Sequence, residues 1–254
     1  MTTQAQTPSP RPTDAAISRL KDRLRLSTPL IAVYDARPSE SFAPLVEATG
    51  TTCCFGYYQR WLDGETLVLE KGGAGCQGAS RALGLERQYP DYMAHFLTDG
   101  VGAPKGEGLR ATPEIAQAYL DAAHPPEVAS DAVLIGPLRV DQWNVVKSVT
   151  FLVDPDRLSA LMTLAGYWSA EDVVAAPFGS GCSFLWRSLG AAGEDRAMIG
   201  GTDIAMRRYL PPNILTLTVR PAHFAKMLTA PESSFLYRSW WNDLMDFRAH
   251  RQPD

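Results

Sequence analysis

Residues 149–162 and 215–228 of this chain carry one pattern twice: an alternating strand, a proline and an amphipathic helix. Val149-Thr150-Phe151-Leu152-Val153 leads to Pro155, and Leu215-Thr216-Leu217-Thr218-Val219 leads to Pro221. Alternation at period two turns one face of each strand toward a core. Proline, with its fixed φ and missing N–H, suits the first turn of the helix that follows. The pattern is either a true duplication or the ordinary look of any strand–Pro–helix unit. Both readings put two strand–helix units in the second half, and so a sheet with helices packed on it.

The other elements come without strict alternation of helix and strand. Ile17, Leu20 and Leu24 recur at helical spacing after Asp14 and predict a helix capped by Asp14. Short apolar runs at 30–34, 65–70, 132–135, 172–175 and 197–199 predict strands. Helices are expected over 54–62, 79–85, 92–98, 112–123, 183–189 and 204–209, and an aromatic-rich docking helix over 235–247. The fold class is therefore α+β: a mixed sheet with strand–Pro–helix units in the C-terminal half and helices packed on the sheet. The expected organisation is a disordered tail over 1–13, one α+β domain over 14–230 divisible into two lobes near 130–148, and a docking helix and tail over 231–254.

Composition narrows the function. With 45% hydrophobic residues in 254, the chain can build a sizeable core. Lys and Arg total 24 against 28 Asp and Glu, a net charge of -4, and no basic block interrupts the mixture. Nucleic acid and anionic membrane are thus poor partners, and a small molecule is the expected one. No apolar run approaches the roughly 18 residues a membrane span needs. Residues 1–12 are polar and proline-bearing, unlike a secretory leader. Four unevenly spaced cysteines do not form a disulfide framework, so a reducing cytoplasm is the expected setting.

Three of those cysteines sit where thiolates are useful. Cys54 opens a helix-like run, and Cys76 and Cys182 end the glycine-rich turns 72–78 and 179–183, each leading into a predicted helix. A helix start offers unpaired N–H groups and partial positive charge, which favour the thiolate that binds metal or attacks an electrophile. Gly75, Gly78 and Gly181 would let a bulky cofactor approach the backbone. Three separated cysteines can hold a [4Fe-4S] cluster through three irons and leave the fourth open as a Lewis acid. Cys53, beside Cys54, reads as a small buried apolar residue or as a neighbouring thiol that takes the place of Cys54.

Other motifs are weaker. Gly73-x-Gly75-x-x-Gly78 fits the dinucleotide pattern, but no second strand ending in an acidic residue follows at the right distance. No Gly-Lys-Ser/Thr phosphate loop exists, and neither a CxxC nor a histidine pair supports zinc. Asp203 after Gly200-Gly201-Thr202 is either a helix cap or a substrate-orienting carboxylate, and Arg207 and Arg208 are candidates to clamp a carboxylate. His95 is the nearest histidine to Cys76 along the chain, for a Cys–His pair.

Cys54-Phe55-Gly56-Tyr57-Tyr58, Gly64-Glu65-Thr66-Leu67, Gly75-Cys76-Gln77-Gly78 with Ala82-Leu83-Gly84, Gly181-Cys182, and Gly200-Gly201-Thr202-Asp203 with Arg207 occur in this order. Together they resemble the uncharacterised DUF169, or ArCR, family over residues 24–228. The resemblance implies that Cys54, Cys76 and Cys182 are the family's cysteine positions, and it implies little about substrate.

The expected function is an iron–sulfur enzyme, a lyase or desulfidase, with Cys54, Cys76 and Cys182 as ligands. The open iron would activate a small substrate for elimination, hydration or removal of a heteroatom such as sulfur, with Asp203 and Arg207 supplying acid–base and charge stabilisation. The alternatives are a non-catalytic iron–sulfur or ligand-binding protein and, third, a metal-free thiol enzyme using Cys76 or Cys182.

Overall fold

A computed structural model describes residues 10–103, 105–122, 125–176, 182, 185 and 196–250. Its frame is one eight-stranded mixed sheet, and the class is α+β. The strands are β1 (Ile31–Asp35), β2 (Leu45–Glu47), β3 (Thr66–Glu70), β4 (Ala132–Pro137), β5 (Val146–Val153), β6 (Val174–Ala175), β7 (Ala197–Gly200) and β8 (Leu215–Val219). They lie in the order β2-β3-β4-β1-β5-β8-β7-β6.

That order is the same four-strand motif laid down twice. The first four strands run 2-3-4-1; the second four, read from the far edge, run 6-7-8-5. In each half the outer pair is parallel, β2 with β3 and β6 with β7. The remaining pairs, β3 with β4, β4 with β1, β7 with β8 and β8 with β5, are antiparallel. The halves meet at the antiparallel seam of β1 and β5, where Ile31 faces Thr150. Topologically they are related by a twofold axis through that seam, normal to the sheet.

The echo noticed in the sequence is a different relation. Its two strands, β5 and β8, are neighbours, with Val149 opposite Val219, but β5 takes the place of β1 and β8 that of β4. The shared pattern reflects two strand–Pro–helix units of ordinary design. Pro155 opens α6 (Pro155–Gly166) behind the Asp154 cap, and Pro221 opens α7 (Pro221–Met227).

Alternation sends the two sides of the sheet to two cores. Ala32, Tyr34, Val149, Phe151, Val153, Leu217 and Val219 pack under α6, α7 and two terminal helices. Those two are the N-terminal helix (Asp14–Leu24) and the C-terminal helix (Ser239–His250), which contributes Trp241 and Met245. Thr13, one residue before the expected cap, closes the N-terminal helix by accepting the Ala16 N–H. The opposite face, with Ile31, Val33, Leu67, Leu69, Val133 and Ile135, packs against Phe55, Trp61, Cys54 and Cys182. On this face β5 and β8 present hydroxyls, and Thr150 and Thr218 pair at 2.8 Å.

The halves differ most between their third and fourth strands. Residues 201–214 suffice to join β7 to β8, whereas residues 71–131 join β3 to β4. The longer connection holds the short helix Gln77–Ala82, then Met93–Phe96 and Pro113–Ala122. Its latter part has a small core of its own, formed by Met93, Leu97, Ala116 and Leu120. We call residues 89–120 the cap.

Candidate active site

The cysteines lie on the loops that the repeat makes equivalent. Cys53 and Cys54 are on the β2–β3 connection and Cys182 on the β6–β7 connection. Cys76 follows β3, and Asp203 follows β7; both come shortly after a Gly-Gly pair, Gly72-Gly73 and Gly200-Gly201. The twofold thus brings four positions toward the centre of one face, three bearing thiols and one a carboxylate.

Local structure aims the sulfurs. The expected helix over 54–62 begins as a 3-10 turn, Cys54–Tyr57, with Cys53 as its N-cap. The Phe55 N–H reaches the Cys53 sulfur. Cys76 is likewise the N-cap of Gln77–Ala82, where the nearby N–H groups of Ala79 and Gly78 favour its thiolate. Gly75 makes this turn possible: its φ is +122°, and its N–H donates to the Gly50 carbonyl at 2.7 Å. Cys182 is buried at 2% exposure, and the chain just beyond is pinned to the sheet where the Ser148 hydroxyl donates to the Leu185 carbonyl.

Cys182 lies within hydrogen-bonding reach of the other three thiols. They and its burial hold its proton well above the usual thiol range. Two of those sulfurs, Cys53 and Cys76, move the other way. Donation from Cys182, then the N–H groups of Ala79 and Gly78, outweigh burial and bring Cys76 down to about 6. Cys53 is lowered chiefly by the same Cys182 donor, against burial. Three of the four sulfurs, those of Cys53, Cys76 and Cys182, line a cavity of about 360 Å³. Cys54, at 1% exposure, packs into the apolar layer behind them.

The cavity lies between sheet domain and cap. Tyr89, Tyr92, Phe96, Leu109 and Tyr119 of the cap form one wall, and Met206 and Tyr209 extend it. The Tyr92 hydroxyl donates to Gln77 Oε1 at 2.5 Å, tying the cap to the helix that begins at Cys76. Asp203, Glu107 and Arg208 are the acidic and basic side chains on the lining besides the thiols and tyrosines. Asp203 is buried and accepts the Ala205 N–H at 2.9 Å. Burial, then the negative charge of Asp203, raises the Glu107 carboxyl above its ordinary range.

The expected residues are thus distributed as follows. Cys76, Cys182, Asp203 and Gly78 line the cavity; Cys54 and Gly75 support the loops behind it. Gly181 and the expected helix over 183–189 fall outside the fully described residues. Arg207 turns away from the cavity: its guanidinium donates to the carbonyls of Gly201, Ile214, Pro211 and Pro212. It closes the 201–214 loop and so positions Asp203, while its neighbour Arg208 reaches the lining. The expected helix over 204–209 is only a 3-10 turn, Arg207–Tyr209, and that turn decides which arginine faces inward. His95 pairs with Asp99 and is absent from the lining. Cys53 and Glu107 are the residues that sequence reasoning undervalued.

Among the described residues, no group of three or more His, Cys, Asp or Glu side chains is set to hold a single metal ion. The donor chemistry itself is soft, four thiols without histidine, as suits cluster iron. No described helix is long and apolar enough to cross a membrane. A family model, DUF169, uncharacterised ArCR, matches residues 19–230. No curated protein and no solved structure matches the chain.

Proposed function

The chain belongs to the DUF169 family, and from its site we propose a small-molecule enzyme, a lyase or desulfidase, whose Cys53, Cys76 and Cys182 hold an iron–sulfur cluster beneath the cavity. The observation that carries this reading is the convergence of thiols from three separate loops on the lining of one cavity. A cluster held by three thiolates leaves one iron without a protein ligand, a Lewis acid able to polarise a substrate heteroatom.

The chain's own residues supply the remainder. N–H groups of Phe55, Gly78 and Ala79 stabilise charge on the sulfurs. Asp203 occupies the position equivalent to Cys76, so the fourth member of the set is an oxygen acid able to orient substrate or move its proton. The cap adds aromatic and apolar side chains to the same lining. The thiols now lie within hydrogen-bonding reach of Cys182, so loading must spread the loops that carry them.

Iron and acid-labile sulfide, measured on protein purified and reconstituted without oxygen, test the proposal. Stoichiometric iron and sulfide, lost in Cys53→Ala, Cys76→Ala and Cys182→Ala, are expected. An iron-free, colourless protein after reconstitution refutes it. One observation favours a second reading, a metal-free thiol enzyme: Cys76 at about 6 is a thiolate at neutral pH. That reading requires inactivation by a single alkylation at Cys76 in iron-free protein.

A further inference from the structure

Resting on the cavity as the substrate site, we infer that its ligand is an uncharged, ring-sized molecule, selected by the cap against both anions and cations. The cap is a large asymmetry between the halves of the sheet: it occupies the connection that residues 201–214 span in the other half. It brings aromatic and apolar side chains to the cavity that the thiols also line. A flat apolar body fills such a wall and displaces its water.

Charge on the lining argues against an anion. Glu107 and Asp203 are both there, and Glu107 already bears the repulsion of Asp203. Arg208 is the single cation on the lining, and it is engaged: its NH2 donates to the Tyr209 hydroxyl at 2.9 Å, and its guanidinium lies 4.9 Å from that ring's centroid.

The aromatic groups also disfavour a cation. Tyrosine rings would ordinarily attract one through their faces, but three of the four on the lining already hold a guanidinium. Arg81 stacks on Tyr89 at 4.9 Å, Arg110 on Tyr119 at 4.7 Å, and Arg208 on Tyr209. Arg81 and Arg110 are not themselves on the lining. A second cation would meet rings already polarised by the first. A neutral ring with one hydrogen-bonding group meets neither penalty, and Glu107 is placed to take that bond.

The test is a matched series of probes, benzyl alcohol, benzylamine and benzoate, titrated at millimolar concentration into the intact protein and followed by ligand-observed NMR. The alcohol should bind about tenfold more tightly than either charged probe. Phe96→Ala should weaken the alcohol several-fold, and Glu107→Gln should narrow its advantage over benzoate. Benzoate or benzylamine binding as tightly as the alcohol, or no binding of the alcohol, overturns the inference. Repeating the series with Cys76→Ser, which cannot complete the thiol set, separates this inference from the cluster. Selectivity retained in this variant shows that the ligand class does not depend on the cluster; selectivity in a reconstituted wild type that stays iron-free would sink the cluster alone, and stoichiometric iron in wild type without selectivity would sink the ligand class alone.

Discussion

Replacing Arg207 by alanine removes one side chain that holds four backbone carbonyls, those of Gly201, Pro211, Pro212 and Ile214. Hydrogen bonds from a charged group are worth about 1.5–3 kcal/mol each when buried. Arg207 is half-buried, and water will replace part of what is lost, so about 0.5–1 kcal/mol per bond is the better figure. Four bonds give a loss of about 2–4 kcal/mol. In a chain of this size each kcal/mol moves the melting temperature by roughly 2–4 °C, so differential scanning calorimetry should show a fall on the order of 5–10 °C. Lysine, a point charge without the planar fork, should recover less than half of it. Amide exchange should quicken over residues 201–214 and leave β1 and β5 untouched. An unchanged melting temperature with unchanged exchange in that loop would mean that Arg207 does not hold it, and the account of how Asp203 is positioned would fail.

Three other outcomes are expected. Cys53→Ser should abolish iron incorporation, whereas Cys54→Ser, set in the apolar layer, should lower the urea midpoint by placing a hydroxyl there and spare more of the iron; equal iron loss in both would equate the two thiols. Burial pushes the Asp35 carboxyl up, but the Ala129 and Ser130 N–H groups, the Ser130 hydroxyl and Lys147 hold it below its ordinary 3.8. The folded state therefore resists protonation. The stabilisation is full above that ordinary value and disappears as pH falls through the lower folded one. Urea midpoints of wild type and Asp35→Asn should accordingly differ at pH 6 and converge on acidification, and a gap that widens in acid would contradict this. Trp241→Phe, which removes the 2.8 Å bond from the indole N–H to the Arg23 carbonyl, should cost about 1 kcal/mol and free the C-terminal helix for proteolysis before the sheet unfolds.

The α+β class and most central strands were legible in the sequence because buried strands are written as apolar runs, and β1, β3 and β4 are buried along nearly their whole length. The edge strand β2 was not. Its residues are largely exposed and bond to one neighbour, so no burial pattern marks them. Cys76 and Cys182 could be singled out because glycine turns announce a helix start. Their meeting could not, since it depends on strand order, and strand order is a long-range property. Cys53 looked like filler because a helix was expected from Cys54; the 3-10 turn rotates the pair, turning Cys53 to the cavity and Cys54 to the core. Glu107 sits between Gly106 and Gly108 in a loop without periodicity, where only contact with Asp203's field marks it. The twofold at the seam was hidden for the same reason as the site: the two halves share topology, while the sequence echo pairs strands that are not counterparts.

The seam between β1 and β5 has a consequence for how such a site can change. Two separate four-strand halves joined across that edge would be bound to present the same groups on both sides, so a thiol gained at one position would be gained at its mate. Joined in one chain, the halves are released from that equality. One can spend its third connection on a wall of aromatic side chains while the other keeps a short loop, and one can offer sulfur where the other offers a carboxylate. Direction then becomes possible at the centre: a molecule entering from the cap meets a different group on each side, which a symmetric centre cannot provide.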